Sequence, residues 1–468
     1  MDYSSFLSHD KVLLVAPAGY GKTFTLAQCL KHTTGKSLIL THTHAGVASI
    51  KKKLKDEQVD TAKFNVETIS SFAQKYVQSF YSGSDAPEQD DRKNYHPFIL
   101  TKAIEILSIS AVHHVVTASY TGIFVDEYQD CTHEHHSLIM TLAKHLPLRI
   151  FGDALQGIFN FNGDLVDFSS DLDDFYRFPP LSTPHRWELA GNAALGKALD
   201  TIRRNLEEGE DIDLSRYDTT IEYVNGSTGY YVPGSPPAQK IKDVRKEGSL
   251  LIIHPNTVNL EPRLKFSSRY KDITPIESID DKTFYRLARA ADEFDATEKY
   301  PVLKKLAGEL YTKTEVDKWF GPSDFKNKRG DAAKGHVNDL KNCLGGGGSL
   351  RTLSAALEKV ADLPAFSCTR KELLRSLNKA IDIAMAKNLS VYEGMKEQRN
   401  NVRRAGRKIE GRHIGTTLLT KGLEFDTVVV LDAHRFECPK HLYVALTRCR
   451  KRLVVIANTQ KLSPYRPS

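Results

Sequence analysis

The stretch VLLVAPAGYGKT, residues 12–23, decides how this chain folds. Its first four residues are apolar and predict a short buried strand, and the AxxxxGKT segment that follows predicts a glycine-rich loop leading into a helix. Such a loop directs backbone N–H groups at phosphate oxygens, and the helix N-terminus adds its positive dipole. Lys22 would reach the β- and γ-phosphates of a nucleotide, and Thr23 would place its hydroxyl on Mg²⁺. The alternative, a chance GKT string, is disfavoured by the strand before it and the helix after it.

A second segment, DEYQD at residues 126–130, follows the apolar strand GIFV at 122–125. Binding sites in parallel sheets open at the carboxyl ends of the strands, so these carboxylates should lie beside the glycine-rich loop. Asp126 would hold Mg²⁺ through water. Glu127 would orient and deprotonate the attacking water. Together the two segments predict a nucleotide-hydrolysis site.

The length and composition of the chain limit the class of protein to which this site can belong. The chain has 468 residues, enough for two to four domains, and its 40% hydrophobic and 26% charged residues are typical of a globular protein. No apolar run reaches the ~18 residues of a membrane helix, and the first residues do not form a signal peptide, so we expect no membrane partner. The six cysteines are scattered without a CxxC pair, which favours a cytoplasmic location. The net charge of +7 permits a polyanionic partner without proving one.

The order of apolar and polar segments predicts an α/β fold with two parallel-sheet domains and small, mostly helical insertions. Strands and helices alternate in the first part, a second βα unit is expected near Leu181, and further apolar strands follow at 249–253, 427–431 and 452–456. The predicted domains are 1–180 with a short insertion at about 73–118, then 181–281 together with 410–468, and a helical insertion at 282–409. The four glycines at 345–348 predict a flexible turn.

The DEYQD segment closely resembles the DExQD motif of superfamily 1 helicases of the UvrD/Rep type. Other segments resemble the remaining motifs of that family in the same order: LTHTHA at 40–45, TISSF at 68–72, FGDALQGIFNF at 151–161, LSTPHR at 181–186, TKGLEFD at 420–426 and YVALTRCR at 443–450. The resemblance implies that both sheets are RecA-like domains of a P-loop NTPase.

The resemblance also implies roles for individual residues. Glu127 and the γ-phosphate sensor Gln156 would be catalytic, together with Arg186 and Arg448 as arginine fingers from the second domain. His185 stands where the family usually has a tyrosine on the base, and no glutamine precedes Lys22. The nucleotide ligands would be Ala18, Gly19, Gly21, Lys22, Thr23, His185 and Glu424, and the metal ligands would be Thr23 and Asp126. The DNA contacts would be His42, Thr43, Ser71, Phe72, Phe159, Phe161 and Thr416, with core packing as the alternative for the aromatic side chains.

These residues favour a DNA-dependent ATPase that uses ATP and Mg²⁺, and the resemblance implies 3′→5′ movement on single-stranded or tailed DNA. The compact chain also looks similar to helicase subunits of bacterial antiphage systems such as Gabija. A subunit that senses ATP or DNA without unwinding is an alternative, and a P-loop kinase is a weaker one because it would not need Gln156, Glu424 or Arg448. No carboxylate-x-lysine nuclease cluster is evident, so a nuclease or another subunit would be a separate protein.

Overall fold

The computed structural model describes residues 1–89, 91–159, 163–256, 258–278, 282–295, 297–366, 368–405 and 409–465. The chain forms two compact units, one made of Met1–Asn259 with Arg404–Ser468 and the other of Leu260–Arg403. The division into domains at 1–180, at 181–281 with 410–468, and at 282–409 stays a prediction. The predicted insertion at 282–409 differs in its bounds from the second compact unit, which begins at Leu260 and includes the helix Glu261–Arg269.

The first unit contains a six-stranded parallel sheet. Its strands, in chain order, are β1 (Lys11–Val15), β2 (Ser37–Thr41), β3 (Phe64–Thr68), β4 (Gly122–Val125), β5 (Leu148–Gly152) and β6 (Tyr176–Phe178). They lie in the spatial order β3-β2-β4-β5-β1-β6, and every neighbouring pair is parallel. The carboxyl ends of β1 and β4 are therefore on the same edge, where the sequence placed the loop and the carboxylates.

A second parallel sheet of this unit uses chain segments from both sides of the other unit. The strands after β6 are β7 (Ile212–Asp213), β8 (Glu222–Asn225), β9 (Leu250–Ile253), β10 (Thr274–Pro275), β11 (Arg412–Gly415), β12 (Phe425–Val430), β13 (Cys449–Ala457) and β14 (Lys461–Leu462). Five of them run parallel in the order β11-β9-β12-β13-β8. The predicted fold class, two tandem RecA-like parallel-sheet domains, is confirmed by these two sheets.

Helices connect the strands and fill the second unit. Their bounds are α1 Tyr3–Leu7, α2 Lys22–His32, α3 His44–Asp56, α4 Ile69–Phe80, α5 Arg92–Leu107, α6 Ser110–Ser119, α7 His133–Ala143, α8 His185–Leu189, α9 Ala193–Glu207, α10 Pro236–Val244, α11 Glu261–Arg269, α12 Lys282–Asp292, α13 Lys299–Leu310, α14 Lys313–Trp319, α15 Asp331–Gly345, α16 Leu350–Ala361, α17 Lys371–Lys387, α18 Val391–Ala405, α19 Thr417–Thr420 and α20 Pro439–Leu446. In the second unit, α12–α17 surround a core that includes Phe284, Leu306 and Ile381.

The two faces of the first sheet are buried in separate cores. On β1, Leu13 packs into one core while Val12 and Leu14 pack into the other. The same alternation holds on β4, where Ile123 and Phe124 belong to opposite faces. This is the period of two expected for a strand that is covered on both sides, and it explains why both strands read as continuous apolar runs.

The start of the second domain near Leu181 stays a prediction. Residues 181–184 form no strand, and the chain enters α8 at His185 instead, so the first strand of the second sheet in chain order is β8. Pro179, Pro180 and Pro184 flank this segment, and proline lacks the N–H group that a strand ladder needs.

Within the described residues, no single helix combines the length and the apolar character that a membrane span requires. Lys93–Leu107 and Ser110–Ser119 meet those requirements only as a pair, with a bend of 90° between them. Ala103, Ile106 and Val112 of this pair are buried in a core of the first sheet.

Candidate nucleotide site

The loop after β1 depends on two glycines. Gly19 and Gly21 have φ angles of +75° and +91°, a region that side chains with a Cβ rarely adopt. A Cβ on Gly19 would lie 2.6 Å from Cζ3 of Trp187, and one on Gly21 would lie 3.2 Å from Cδ2 of His185. Gly21 is also the N-cap of α2. The loop therefore has the conformation that exposes backbone N–H groups, and residues of α8 from the second domain lie directly against it.

Lys22 lies at the start of α2 with its ammonium group turned into the loop. Its Nζ donates to the carbonyl oxygens of Ala16, at 2.6 Å, and Pro17, at 3.1 Å. Burial lowers the pKa of Lys22, while the carboxylates of Asp153 and Glu127 act in the opposite direction. In the part of the chain that the structure describes, the hydrogen bonds of this buried cation go to loop carbonyls, and such a cation is well suited to bind a phosphate group.

Asp126 and Glu127 follow β4 as predicted. Oδ2 of Asp126 accepts from the hydroxyl of Thr23 at 3.4 Å, and Oδ1 accepts from the N–H of Glu127 at 3.0 Å. Glu127 has a left-handed φ of +61°, a strained conformation for a residue with a side chain, and such strain concentrates at functional sites. Burial and the neighbouring Glu127 raise the pKa of Asp126 to about 7, against the opposing effect of Lys22.

Thr23 and Asp126 fit a Mg²⁺ site. Asp126 is buried and carries a raised pKa, so a divalent cation would relieve the cost of its charge. Among the described residues no cluster of three or more acidic, histidine or cysteine side chains forms a metal cage. One carboxylate and one hydroxyl, from Asp126 and Thr23, suit Mg²⁺, which binds one or two carboxylates and takes its remaining ligands from phosphates and water.

Glu127 is held in its charged form. Burial alone would raise its pKa, but Lys421, Lys22 and Arg448 together lower it. Nζ of Lys421 lies 3.7 Å from a carboxylate oxygen of Glu127, and the amide of Gln129 donates to the same carboxylate. An ionised carboxylate is the form that can accept a proton from water.

Gln156 joins the two domains. Its Nε2 donates to Asp153 at 2.7 Å, and its Oε1 accepts from Nη2 of Arg448 at 3.1 Å. Arg448 also donates from Nε to the carbonyl of Val444 at 3.0 Å. Burial and the nearby Arg186 lower the pKa of Arg448 to about 10, so this arginine stays charged at neutral pH.

Arg186 reaches the same region from α8. Its backbone N–H donates to the carbonyl of Gly19 at 2.9 Å, and Nη2 donates to Oε1 of Glu424 at 2.8 Å. Burial would raise the pKa of Glu424, but Arg186 lowers it through both its charge and this hydrogen bond. The N–H of Ala18 donates to the hydroxyl of Tyr443 at 3.3 Å, so a residue of α20 also contacts the loop.

His185 lies over the loop at the entrance of α2. Its ring is next to Gly21 and 6.4 Å from the ring of Phe24, with the two planes tilted by 49°. The structure thus brings together every residue assigned from the sequence to phosphate, metal or base binding.

The residues assigned to DNA are less uniform. His42 and Phe159 lie together, with ring centroids 4.7 Å apart, and Phe159 packs in a small cluster with Ile158 and Val444. Thr43 caps α3 and lies beside Gly422 of the second domain.

The other residues assigned to DNA stay predictions. Ser71 is partly exposed and accepts a hydrogen bond from Thr68 at 2.7 Å. Phe72 and Thr416 are completely buried, which for Phe72 favours the alternative of core packing. Phe72 belongs to a core of the first sheet, where its apolar ring packs against Tyr76. Phe161 lies outside the described residues.

The sequence analysis missed several residues of the site. Lys421 donates to Asp130 and to the carbonyl oxygen of Gln156, which links the two domains through a buried ion pair. Both residues lie inside the motif segments, so the signal was present. Asp153 also lies in a quoted segment. Arg203, which contacts Asp153, lies in none of them, and no sequence signal pointed to it.

A glycine-rich loop, a buried lysine, paired carboxylates and two arginines meet here, which is the arrangement of a P-loop nucleotide site. Residues 3–162 match a family model described as an AAA domain. The Gabija protein GajB of Bacillus cereus (strain VD045) is 35% identical over 85 residues, which is 16% of this chain and 17% of that protein. The predicted likeness to superfamily 1 helicases of the UvrD/Rep type is confirmed.

Two solved structures with some likeness to the chain are structures of helicases. Arterivirus nonstructural protein 10 (helicase) has a TM-score of 0.34 at 11% identity, covering 97% of this chain and 61% of that one. A structure of two coordinating Pif1 helicases on forked DNA has a TM-score of 0.40 at 11% identity, covering all of this chain and 92% of that one. Likeness at this level carries no argument about function, which depends on the site.

Proposed function

We propose that this protein is an ATP-dependent motor that moves 3′→5′ along single-stranded DNA and hydrolyses ATP faster when DNA is bound. One observation carries the proposal: Arg448 and Arg186 of the second domain contact Gln156 and the glycine-rich loop of the first. A nucleotide bound to this loop would be enclosed by cations from both domains. An enzyme that only binds nucleotide on one domain has no need of this arrangement.

The proposed chemistry is the attack of water on the γ-phosphorus with release of ADP. The new P–O bond forms from water, the bond to the bridging oxygen of the β-phosphate breaks, and Glu127 accepts the proton. Lys22, Arg186 and Arg448 neutralise the charge on the transferred group. Thr23 and Asp126 would hold Mg²⁺, which supplies further neutralisation of the phosphates when it is bound.

Movement would follow from loss of the γ-phosphate. The arginines of the second domain would then lose their anionic partner, and the cleft between the two domains would relax. His42 and Phe159 lie at the junction of the two domains, since Phe159 packs on Val444, and would respond to this change. In this proposal 1–180 and 181–281 with 410–468 are the two motor domains, and 282–409 is an insertion.

The decisive experiment compares ATP hydrolysis with and without single-stranded DNA and then the unwinding of duplexes with 3′ or 5′ tails. We expect stimulation by DNA and unwinding of the 3′-tailed duplex only. Equal rates with and without DNA would contradict a motor, and unwinding from the 5′ tail would contradict the proposed polarity. Glu127→Gln is the matched inactive control.

A second candidate is an ATP- or DNA-sensing subunit of an antiphage defence system, and the partial identity with GajB favours it. Such a subunit would hydrolyse ATP as a switch and would leave 3′-tailed duplexes intact. The same two assays separate the candidates, because DNA-stimulated hydrolysis without unwinding supports the sensor. A nuclease or other partner protein and a cytoplasmic location remain predictions.

A further inference from the structure

Gln156 belongs to a hydrogen-bond network of polar side chains that includes Arg203, a residue outside every motif. Arg203 on α9 donates from Nη2 to Oδ1 of Asp153 at 3.3 Å, and the other carboxylate oxygen accepts from Gln156. Gln156 in turn accepts from Arg448. Three hydrogen bonds therefore connect Arg203 and Arg448 of the second domain through Asp153 and Gln156 of the first.

The donors and acceptors of this network fix the orientation of the Gln156 amide. A carboxylate only accepts hydrogen bonds and a guanidinium only donates them, so the amide must turn its nitrogen to Asp153 and its oxygen to Arg448. If Asp153 turned away, Gln156 would lose the partner that holds its nitrogen. Its oxygen would then no longer be held towards Arg448.

Asp153 depends on a counter-charge. Its side chain is completely buried, and a buried carboxylate without a cationic partner is strongly unfavourable. The side chain of Arg203 is only 16% exposed, and the same Nη2 that contacts Asp153 also lies 2.8 Å from a carboxylate oxygen of Glu207. Burial would lower the pKa of Arg203, but Asp153, Tyr443 and Glu207 raise it, so the guanidinium remains charged.

We infer that Arg203 is a positioning residue for ATP hydrolysis, which holds Asp153 so that Gln156 presents its oxygen to Arg448. This inference rests on the proposed ATPase function. Arg203 does not touch the nucleotide-binding groups itself, so its effect should fall on the rate of the chemical step and leave ATP binding near normal. It also means that α9 senses the state of the γ-phosphate site through one buried ion pair.

The neighbouring arginine provides a matched control. Arg204 lies on the same helix with a side chain that is 63% exposed, and it pairs with Asp200 one turn away at 3.3 Å. Removing Arg204 deletes the same chemical group from α9 but leaves the hydrogen bonds that join Arg203, Asp153, Gln156 and Arg448 intact.

The test measures kcat and KM for ATP with saturating single-stranded DNA in wild-type protein and in Arg203→Ala, Arg203→Lys and Arg204→Ala. We expect Arg203→Ala to lower kcat by roughly 10- to 100-fold with KM near the wild-type value, the loss typical of a misplaced catalytic group. Arg203→Lys should recover part of the rate because it keeps the charge, and Arg204→Ala should match the wild type. Circular dichroism spectra confirm that each variant is folded.

Adding Arg203→Ala to Gln156→Ala separates positioning from a general structural role. If Arg203 acts through Gln156, the second substitution costs little further rate, whereas independent effects multiply. Normal kcat in Arg203→Ala, or a full further loss in the double variant, would overturn the inference while leaving the ATPase proposal intact. A wild-type protein without ATP hydrolysis would overturn both.

Discussion

The ammonium group of Lys22 is held in position by the loop itself. It is buried and donates to two loop carbonyls at 2.6 and 3.1 Å, while three nearby carboxylates oppose the effect of burial on its pKa. The net effect still lowers the pKa of Lys22, so burial outweighs the carboxylates. A phosphate would add the negative charge that this buried ammonium lacks, and the loop already holds the ammonium in place.

Replacement of Lys22 by alanine should abolish ATP hydrolysis, because the phosphate loses its buried cation. The measurement is the steady-state release of phosphate with DNA present. Lys31→Ala is the control, since Lys31 lies on the same helix but pairs at the surface with Glu57 at 3.6 Å. Unchanged turnover in Lys22→Ala would contradict the assignment of the loop.

Glu127→Gln should bind ATP and fail to hydrolyse it. The substitution keeps the shape of the side chain and one acceptor oxygen but removes the charge that accepts a proton. Equilibrium binding of a fluorescent ATP analogue and single-turnover hydrolysis together test this. Loss of binding along with turnover would indicate a structural role for Glu127 instead.

At the scale of the secondary-structure elements, the loop and α8 constrain each other. Gly19 has a φ of +75°, and a Cβ there would collide with the ring of Trp187. The indole nitrogen of Trp187 donates to the carbonyl of Cys449 at 3.1 Å, so the ring is fixed from the opposite side. The glycine is therefore required for its conformation and also for the contact between the domains.

Gly19→Ala should destabilise the protein by more than the ~1 kcal/mol expected for a left-handed backbone alone. Gly209→Ala is the control, because Gly209 has a similar φ of +77° with open space around it. Thermal unfolding should therefore show a larger shift for Gly19→Ala than for Gly209→Ala. Equal shifts would mean that Trp187 can move aside.

The ion pair between Lys421 and Asp130 gives a pH-dependent prediction for the contact of α19 with the first domain. Burial raises the pKa of Asp130 to about 6 even though Lys421 lowers it. Without Lys421 the pKa of Asp130 should rise further. Lys421→Met should thus cost about 3–5 kcal/mol in the free energy of unfolding at pH values above the pKa of Asp130 in the variant, where Asp130 is charged and unpaired. The cost should shrink as pH falls, because protonated Asp130 needs no counter-charge.

Chemical denaturation at several pH values measures this cost. The double variant with Asp130→Asn should recover much of the lost stability and should remove the pH dependence. A cost that is the same on both sides of the pKa would contradict the account of this pair.

The sequence predicted the elements that are most apolar and the motifs that lie at their ends. The buried strands β1, β4 and β9 were predicted from continuous apolar runs, which are typical of parallel strands covered on both faces. The strands β3 and β8 were missed because their sequences, FNVET and EYVN, mix polar and apolar residues. Each lies at one end of the strand order given for its sheet, where one side of the ladder is less enclosed.

The residues of the candidate site also divide into those that the sequence predicted and those that it did not. Glycines, a lysine and carboxylates at strand ends carry a local signal, so the nucleotide site was predicted as a group. Phe72 carries no local signal that separates a core ring from a DNA-facing ring, and only the packing against Tyr76 decides it. Arg203 could not be predicted because its partner Asp153 lies far away in the sequence and meets it only through the fold.

At the scale of the whole molecule, the positive charge indicates how DNA binding should respond to salt. The chain has a net charge of +7, and a strand bound through several phosphates releases counterions. The affinity for single-stranded DNA should therefore fall steeply as salt concentration rises, with a linear relation between the logarithms of the two. Fluorescence anisotropy with a labelled oligonucleotide measures this, and a flat response would contradict a basic strand track.

The central claim is that a triphosphate bound to the first domain is completed by Arg186 and Arg448 of the second. Single-turnover hydrolysis of ATP at saturating single-stranded DNA, in wild-type protein and in Arg186→Ala and Arg448→Ala, tests it most directly. The account predicts that each variant still binds ATP and that its rate falls by roughly 10³-fold or more, as expected for the loss of an arginine finger. Rates close to that of the wild type in both variants would contradict it.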